Sequence, residues 1–246
     1  MTIFTRLKKL VLNVSGPLFW GTKSYSQEGE DLVLVRLFGR KKQGFYVEVG
    51  CHHPFRFSNT YLFYKRGWRG ICVDPFPGTR NSFQKWRPRD ITLEIGVSAK
   101  SASLTYYMFN EPALNTFDAG IAAERDNLKD YRLIDRRAIT TQPLSSILEN
   151  RVLSKEKEID FFSIDVEGFD LEVLQSNDWE RFRPTAVIVE CLGSDIESLL
   201  RDPVASFMKL VGYVPHAKTG QSVIFVNQDG IESIHDSLVS DRPGIP

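Results

Sequence analysis

The sequence has little of what holds small scaffolds and metal clusters together. Only three cysteines, Cys51, Cys72 and Cys191, occur in 246 residues, none in CxxC spacing, and with four histidines they furnish neither a disulfide framework nor a zinc set. An odd, sparse set of thiols fits a reducing, cytoplasmic compartment. Neither charge is in excess: 31 Lys and Arg balance 31 Asp and Glu, so no global field gathers polyanions, and nucleic acid is a poor partner. The short basic clusters Arg40-Lys41-Lys42, Lys65-Arg66 and Arg136-Arg137 read as solvated faces. No stretch approaches the roughly 18 apolar residues that cross a bilayer. The first twenty residues are mildly apolar but interrupted by Lys8 and Lys9; they read as a peripheral helix, with superficial membrane contact as the most they offer. A GxGxxG turn is also missing. After Gly50 stand Cys51, His52, His53 and Pro54, a turn that disfavours close backbone approach to a pyrophosphate, and with it NAD or FAD.

What is present is ordinary globular material, 42% hydrophobic and 25% charged, at a length one core can serve. Five short segments share one design, a β-branched or aromatic run ending in or near an acid: residues 44–50, 70–74, 91–97, 159–165 and 185–190. Helical patterns lie between most of them. Ser58 can cap the stretch from Asn59, a helix should run from Pro77 to Trp86, and Gly168 opens a helix with Leu171 and Leu174 on one face. Before the first strand, Leu34, Leu37 and Phe38 share a helical stripe. Strand alternating with helix implies a doubly wound α/β fold with a parallel sheet. Two late segments, GYVPHA and QSVIFVN, read as a terminal hairpin that adds an antiparallel strand. Residues 110–158 are too long and polar for a simple connection and are expected to form an inserted flap or substrate wall. The expected organisation is a helical extension over 1–43, the α/β domain over 44–227 and a loose tail over 228–246.

Ligands of open α/β sheets bind beyond the carboxyl ends of the strands, and here acids stand at those ends: Glu48, Asp74, Glu94, Asp165 and Glu190. Any one of them serves equally well as a helix-start acid. Asp74 follows Gly50 at about the distance at which nucleotide-binding folds place an acid on ribose hydroxyls. An adenosine ligand bearing positive charge and no phosphate suits such a site, and S-adenosylmethionine is one. Acids also end strands in metal-dependent hydrolases and phosphoryl-transfer enzymes, which is the alternative reading. A third is a non-catalytic binding module on the same scaffold.

The stretches YSQEGEDLVL, GFYVEVGCHHPFRFSNTYLFYKRGWRGICVDPFP, IGVS, FFSIDVEGFDLEVLQS and RPTAVIVE together resemble the FkbM family of S-adenosylmethionine-dependent methyltransferases, over most of residues 24–227. The resemblance implies the class I methyltransferase (Rossmann-like) fold: seven strands, mostly parallel, the last antiparallel, with helices on both faces. It also implies O-methylation of a sugar hydroxyl on a glycan, a nucleotide sugar or a glycosylated metabolite. Carried over by position, it makes Glu48 and Gly50 the turn beneath the methionine part of the cofactor and Asp74 the ribose acid, with Phe76 flanking adenine beside Gly96 and Val97.

Methyl transfer from a sulfonium needs an aligned oxygen nucleophile and a group to take its proton. His53, with His52 beside it, and the acids Asp165 and Glu167 are the candidates. Asp165 and Glu190, on strands expected to be neighbours, form a two-carboxylate set for a divalent cation that would bind a vicinal diol; hydrogen bonding of turns and helix starts is the competing explanation. The aromatics of 106–117 can stack on a sugar or fill the core, while Asn110, Glu111 and Asn115 can bond its hydroxyls.

Overall fold

A computed structural model describes residues 21–39, 41–126, 128–151, 158–192, 195–199 and 201–228. The peripheral helix expected in the first twenty residues and the tail beyond residue 228 lie outside this set.

The chain opens with α1 (Glu30–Phe38), whose first turn carries Glu30 and Asp31. Asp31 is fully buried and accepts hydrogen bonds from Ser24 Oγ, the Tyr25 amide and Ser26 Oγ, which anchors the incoming chain. Strand and helix then alternate through β1 (Phe45–Val49), α2 (Tyr61–Lys65), β2 (Arg69–Val73), α3 (Thr79–Trp86) and β3 (Ile91–Leu93). Ser58 does serve the start of α2, accepting from the Tyr61 amide at 3.1 Å. The run 91–97, read as one strand, is broken: β3 stops at Leu93 and β4 (Gly96–Val97) pairs elsewhere.

Next come β5 (Ala102–Phe109), a 3₁₀ turn (Pro112–Leu114), α4 (Ala119–Arg125), β6 (Leu133–Gln142) and α5 (Leu144–Arg151). Strands β4, β6 and β5 form a small second sheet, parallel between β4 and β6 and antiparallel between β6 and β5. The chain finishes with β7 (Phe161–Ile164), α6 (Asp170–Gln175), β8 (Ala186–Glu190), α7 (Ile196–Leu199), α8 (Pro203–Leu210), β9 (Tyr213–Lys218) and β10 (Ser222–Asn227).

The main sheet has the order β3-β2-β1-β7-β8-β10-β9, with β10 antiparallel to both neighbours and the other pairings parallel. This is the seven-stranded class I methyltransferase arrangement, including the expected terminal hairpin. Its central strands are apolar on both faces, as helices on both sides require. One face, with Val47, Ile71, Phe162 and Val187, packs on α5, α6 and α8; the other, with Tyr46, Cys72, Phe161 and Ile188, packs on α1, α2 and α3. The chain winds outward from β1 through β2 to β3 and then returns to β7 on the other side of β1. That reversal opens a crevice at the carboxyl ends of β1 and β7.

Candidate functional site

A cleft of about 740 Å³, counting its open mouth, lies at this reversal. Its floor is Val49 and Gly50 at the end of β1, with Asp74 after β2 and Asp165, Val166 and Glu167 after β7; the wall is Tyr106, Pro112, Ala113, Asn115 and Phe117. His52 and Phe57 stand at one side.

Gly50 is required there. It adopts φ +80°, and a Cβ would lie 1.7 Å from the Asp165 carbonyl oxygen, so only glycine lets the ends of β1 and β7 meet. His52, Phe57 and Glu167 all line the cleft with positive φ (44°, 57° and 54°), a conformation side chains other than glycine adopt rarely.

Asp74 is 5% exposed and accepts from the His52 amide at 2.7 Å and the Phe76 amide at 2.8 Å. Burial pushes its carboxyl up to about 6 against those two hydrogen bonds. Each oxygen keeps a free lone pair for a ligand hydroxyl.

Beyond Asp74 lies an acid cluster. Carboxylate oxygens of Asp165, Glu167 and Glu190 lie within 4.8 Å of one another. Asp165 opens onto the cleft but is crowded by protein, and that desolvation, with the charges of Glu190, Glu167 and Asp170, holds its carboxyl well above the usual range. Burial and the charges of Glu167 and Asp170 push Glu190 up to about 8. Glu167 is raised by burial and lowered by Arg125, whose guanidinium pairs with it and also donates to the Leu114 carbonyl at 3.0 Å. Asp170 accepts from the Val166 and Gly168 amides, each at 3.2 Å, and holds the loop in shape.

Several expected site residues sit elsewhere. Glu48 faces away from the cleft: on β1 it shares a side with Tyr46, and its carboxylate accepts from Thr60 Oγ1 at 2.6 Å and Arg87 Nη1 at 3.4 Å in a buried network. His53 does not line the cleft either. Its Nδ1 accepts from the Phe55 and Arg56 amides at 3.3 and 3.1 Å, so the ring shapes its own loop. His52 is the histidine that reaches the cleft; burial, then Arg56, lowers its imidazole to about 4. Phe76 contributes its backbone amide to Asp74, and Gly96 makes room for Phe117, whose Cζ would lie 2.7 Å from a Cβ there. Val97 does line the cleft. Glu94 caps α3 by accepting from the Arg80 amide. Asn110 is spent on Asp130 and Arg132, and Glu111 on a two-pronged ion pair with Arg56.

Of the aromatics of 106–117, Tyr106 and Phe117 line the cleft, whereas sequence reasoning missed Phe57 as a lining residue and Arg125 as the partner of Glu167. Arg125 had no distinguishing signal, since a basic residue in a polar helix is ordinary. Glu167 carried one, the turn it forms with Gly168, but only the fold reveals that it completes the pair Asp165 and Glu190.

A family model described as the methyltransferase FkbM domain matches residues 48–214. No curated protein matches the chain. Similar solved structures include an O-methyltransferase from Bacillus cereus in complex with SAH, 13% identical with a TM-score of 0.41, the match covering 89% of this chain and 90% of that one. A TehB-like SAM-dependent methyltransferase from Corynebacterium glutamicum is 10% identical with a TM-score of 0.39, over 91% of this chain and 99% of its own. A 1,6-didemethyltoxoflavin-N1-methyltransferase from Burkholderia thailandensis is 12% identical with a TM-score of 0.39, over 90% and 85%.

Proposed function

The chain belongs to the FkbM methyltransferase family, and on that footing we propose that it moves a methyl group from S-adenosylmethionine to a hydroxyl of a carbohydrate. One observation carries the cofactor reading: among the described residues, the cleft is lined by Asp74, Asp165 and Glu167 and by no lysine or arginine. Such a lining favours a cationic ligand and repels a phosphate. The residues fit this cofactor in kind. Asp74 would accept from the ribose hydroxyls, and the Gly50 turn would admit the chain of the methionine part.

When bound, the cofactor supplies a methyl carbon made electrophilic by the sulfonium. The protein's task is alignment and proton removal: it would hold the acceptor hydroxyl in line with that carbon, and a carboxylate of this chain would take the hydroxyl proton. Asp165 and Glu167 take that role. Desolvation raises both carboxyls, which makes each a stronger proton acceptor than an ordinary carboxylate. Glu167 completes the pair Asp165 and Glu190 to three oxygen donors, the kind of set a divalent cation uses, and such an ion would bind the acceptor's hydroxyls and lower their pKa. A carbohydrate acceptor accords with Phe57, 44% exposed at the mouth, whose ring suits the apolar face of a sugar. Of the insertion expected over 110–158, the 3₁₀ turn and its neighbours would form the substrate wall while α5 packs in the main core through Leu144, Ile147 and Leu148, within a domain over 44–227.

Calorimetry tests the cofactor: S-adenosylhomocysteine should bind the wild-type chain, and Asp74→Ala should weaken binding by roughly 10- to 100-fold. Absence of binding, or an unchanged affinity in the variant, overturns the reading. Labelled cofactor incubated with sugar nucleotides and glycans, with and without chelator, tests the acceptor class; activity that survives chelation removes the cation.

A further inference from the structure

The balance of charge over the whole sequence hides a local excess. Residues 51–89 carry eight Lys and Arg and a single acid, Asp74, which is buried at the cleft. Arg87 is buried with Glu48 and Asp90, and the other seven cations of the segment are exposed. Lys65, read from the sequence as part of a solvated face, is one of them.

The fold sets a run of aromatic rings among these cations. Trp86, 52% exposed at the end of α3, lies 5.7 Å from Phe55, itself 36% exposed, and Phe55 lies 5.8 Å from Tyr61. Tyr61 in turn lies 4.7 Å from Tyr25 and 6.3 Å from Tyr64. Cations rest against three of these rings at 3.9 to 5.3 Å: Lys85 on Trp86, Arg89 on Tyr64, and Lys23 with Lys65 on Tyr25. Among the described residues, none of these four cations is in an ion pair. The run continues through His53, 4.5 Å from Phe55, to His52 and the mouth of the cleft.

An exposed aromatic run edged by unpaired cations calls for an anionic partner with an apolar part. A nucleic-acid base or a sugar would stack on open ring faces, and here cations already lie over Trp86, Tyr64 and Tyr25. The arrangement suits the boundary between lipid headgroups and acyl chains, where aromatic bodies dip in and long cationic side chains reach the phosphates. The sequence leading into this surface has the same character: residues 1–27 hold Arg6, Lys8, Lys9 and Lys23 and no acid.

We propose that the face formed by α2, α3 and the segment before α1 docks on an anionic phospholipid surface, which places the cleft mouth beside the lipid. The proposal depends on neither the cofactor nor the acceptor.

Flotation of the full chain with phosphatidylcholine vesicles, with and without about 30% phosphatidylserine, tests it. Binding should require the anionic lipid and weaken with added salt. Lys65→Gln combined with Lys85→Gln should weaken it roughly 30-fold, and Trp86→Ser roughly 10-fold, each variant keeping the wild-type melting transition. Binding to neither kind of vesicle, equal binding to both, or binding that the variants leave unchanged overturns the proposal. A single-stranded oligonucleotide and an acidic polysaccharide are titrated against the same proteins. If either binds more tightly than the anionic vesicles and loses affinity in the same variants, the face serves that polyanion and the lipid assignment falls.

Discussion

Glu190 ends β8 beside two other carboxylates, and its protonation links the cluster to stability. Burial and the charges of Glu167 and Asp170 raise its folded carboxyl to about 8, above its ordinary value near 4.5. The folded chain therefore holds the proton more tightly than the unfolded chain between those two values. Its stabilising contribution is complete below the unfolded pKa and is lost as pH rises through about 8. Asp170, raised to about 7 chiefly by burial, acts in the same direction over a narrower window. Melting temperature without ligand should thus fall as pH rises from 5 to 8.5, and Glu190→Gln, which keeps the shape and never ionises, should flatten part of that decline. An unchanged slope in the variant would place the titrating group elsewhere.

At the scale of elements, the loop bearing His52 and Phe57 is held by a polar network behind β1. Arg87, fully buried after α3, donates to Asp90 at 2.7 Å, Thr60 Oγ1 at 2.8 Å, Tyr46 Oη at 3.0 Å and Glu48 at 3.4 Å. It ties β1 and the segment from Pro54 to Thr60 to the turn before β3. Removing one partner of such a set strands the others, so Arg87→Ala should cost about 3–5 kcal/mol in denaturant unfolding, while Glu48→Gln, which keeps an acceptor, should cost much less. Equal losses would show that the network needs the charge of Glu48 and not merely an acceptor in its place.

The same network explains which parts of the site were legible. Strand and helix periodicity gave the order of the elements, and the acids at strand ends marked the correct edge of the sheet. Periodicity does not tell which face of a strand a terminal acid takes when both faces are buried, so Glu48 read as a ligand residue although it serves Arg87. The break in 91–97 was equally hidden, because Val97 leaves the main sheet for a pairing with Gln142, far away in sequence. Asp74 needed less long-range information. It stands one residue past β2, and the backbone bonds that hold it come from Phe76, two residues on, and from the turn after β1.

Over the whole molecule, positive and negative side chains cancel, yet the cleft is locally acidic, and a recessed site focuses such a field. The two forms of the cofactor differ by one methyl group and one positive charge. Contacts of the methyl group are indifferent to pH, whereas attraction of the sulfonium depends on ionisation of Asp165 and Glu167, both raised, and of Glu190, which sheds its proton near 8. The preference for S-adenosylmethionine over S-adenosylhomocysteine should therefore grow between pH 6 and pH 8.5, by a factor of about 3 to 10 if the effective dielectric is that of a partly solvated site. Because both ligands carry the same base, ribose and amino acid, the ratio of their calorimetric dissociation constants cancels everything except the transferred group and its charge. A ratio flat across that range would mean that the carboxylates at the ends of β7 and β8 do not face the sulfonium. The acid cluster would then serve the acceptor alone, whose affinity should in that case carry the pH dependence.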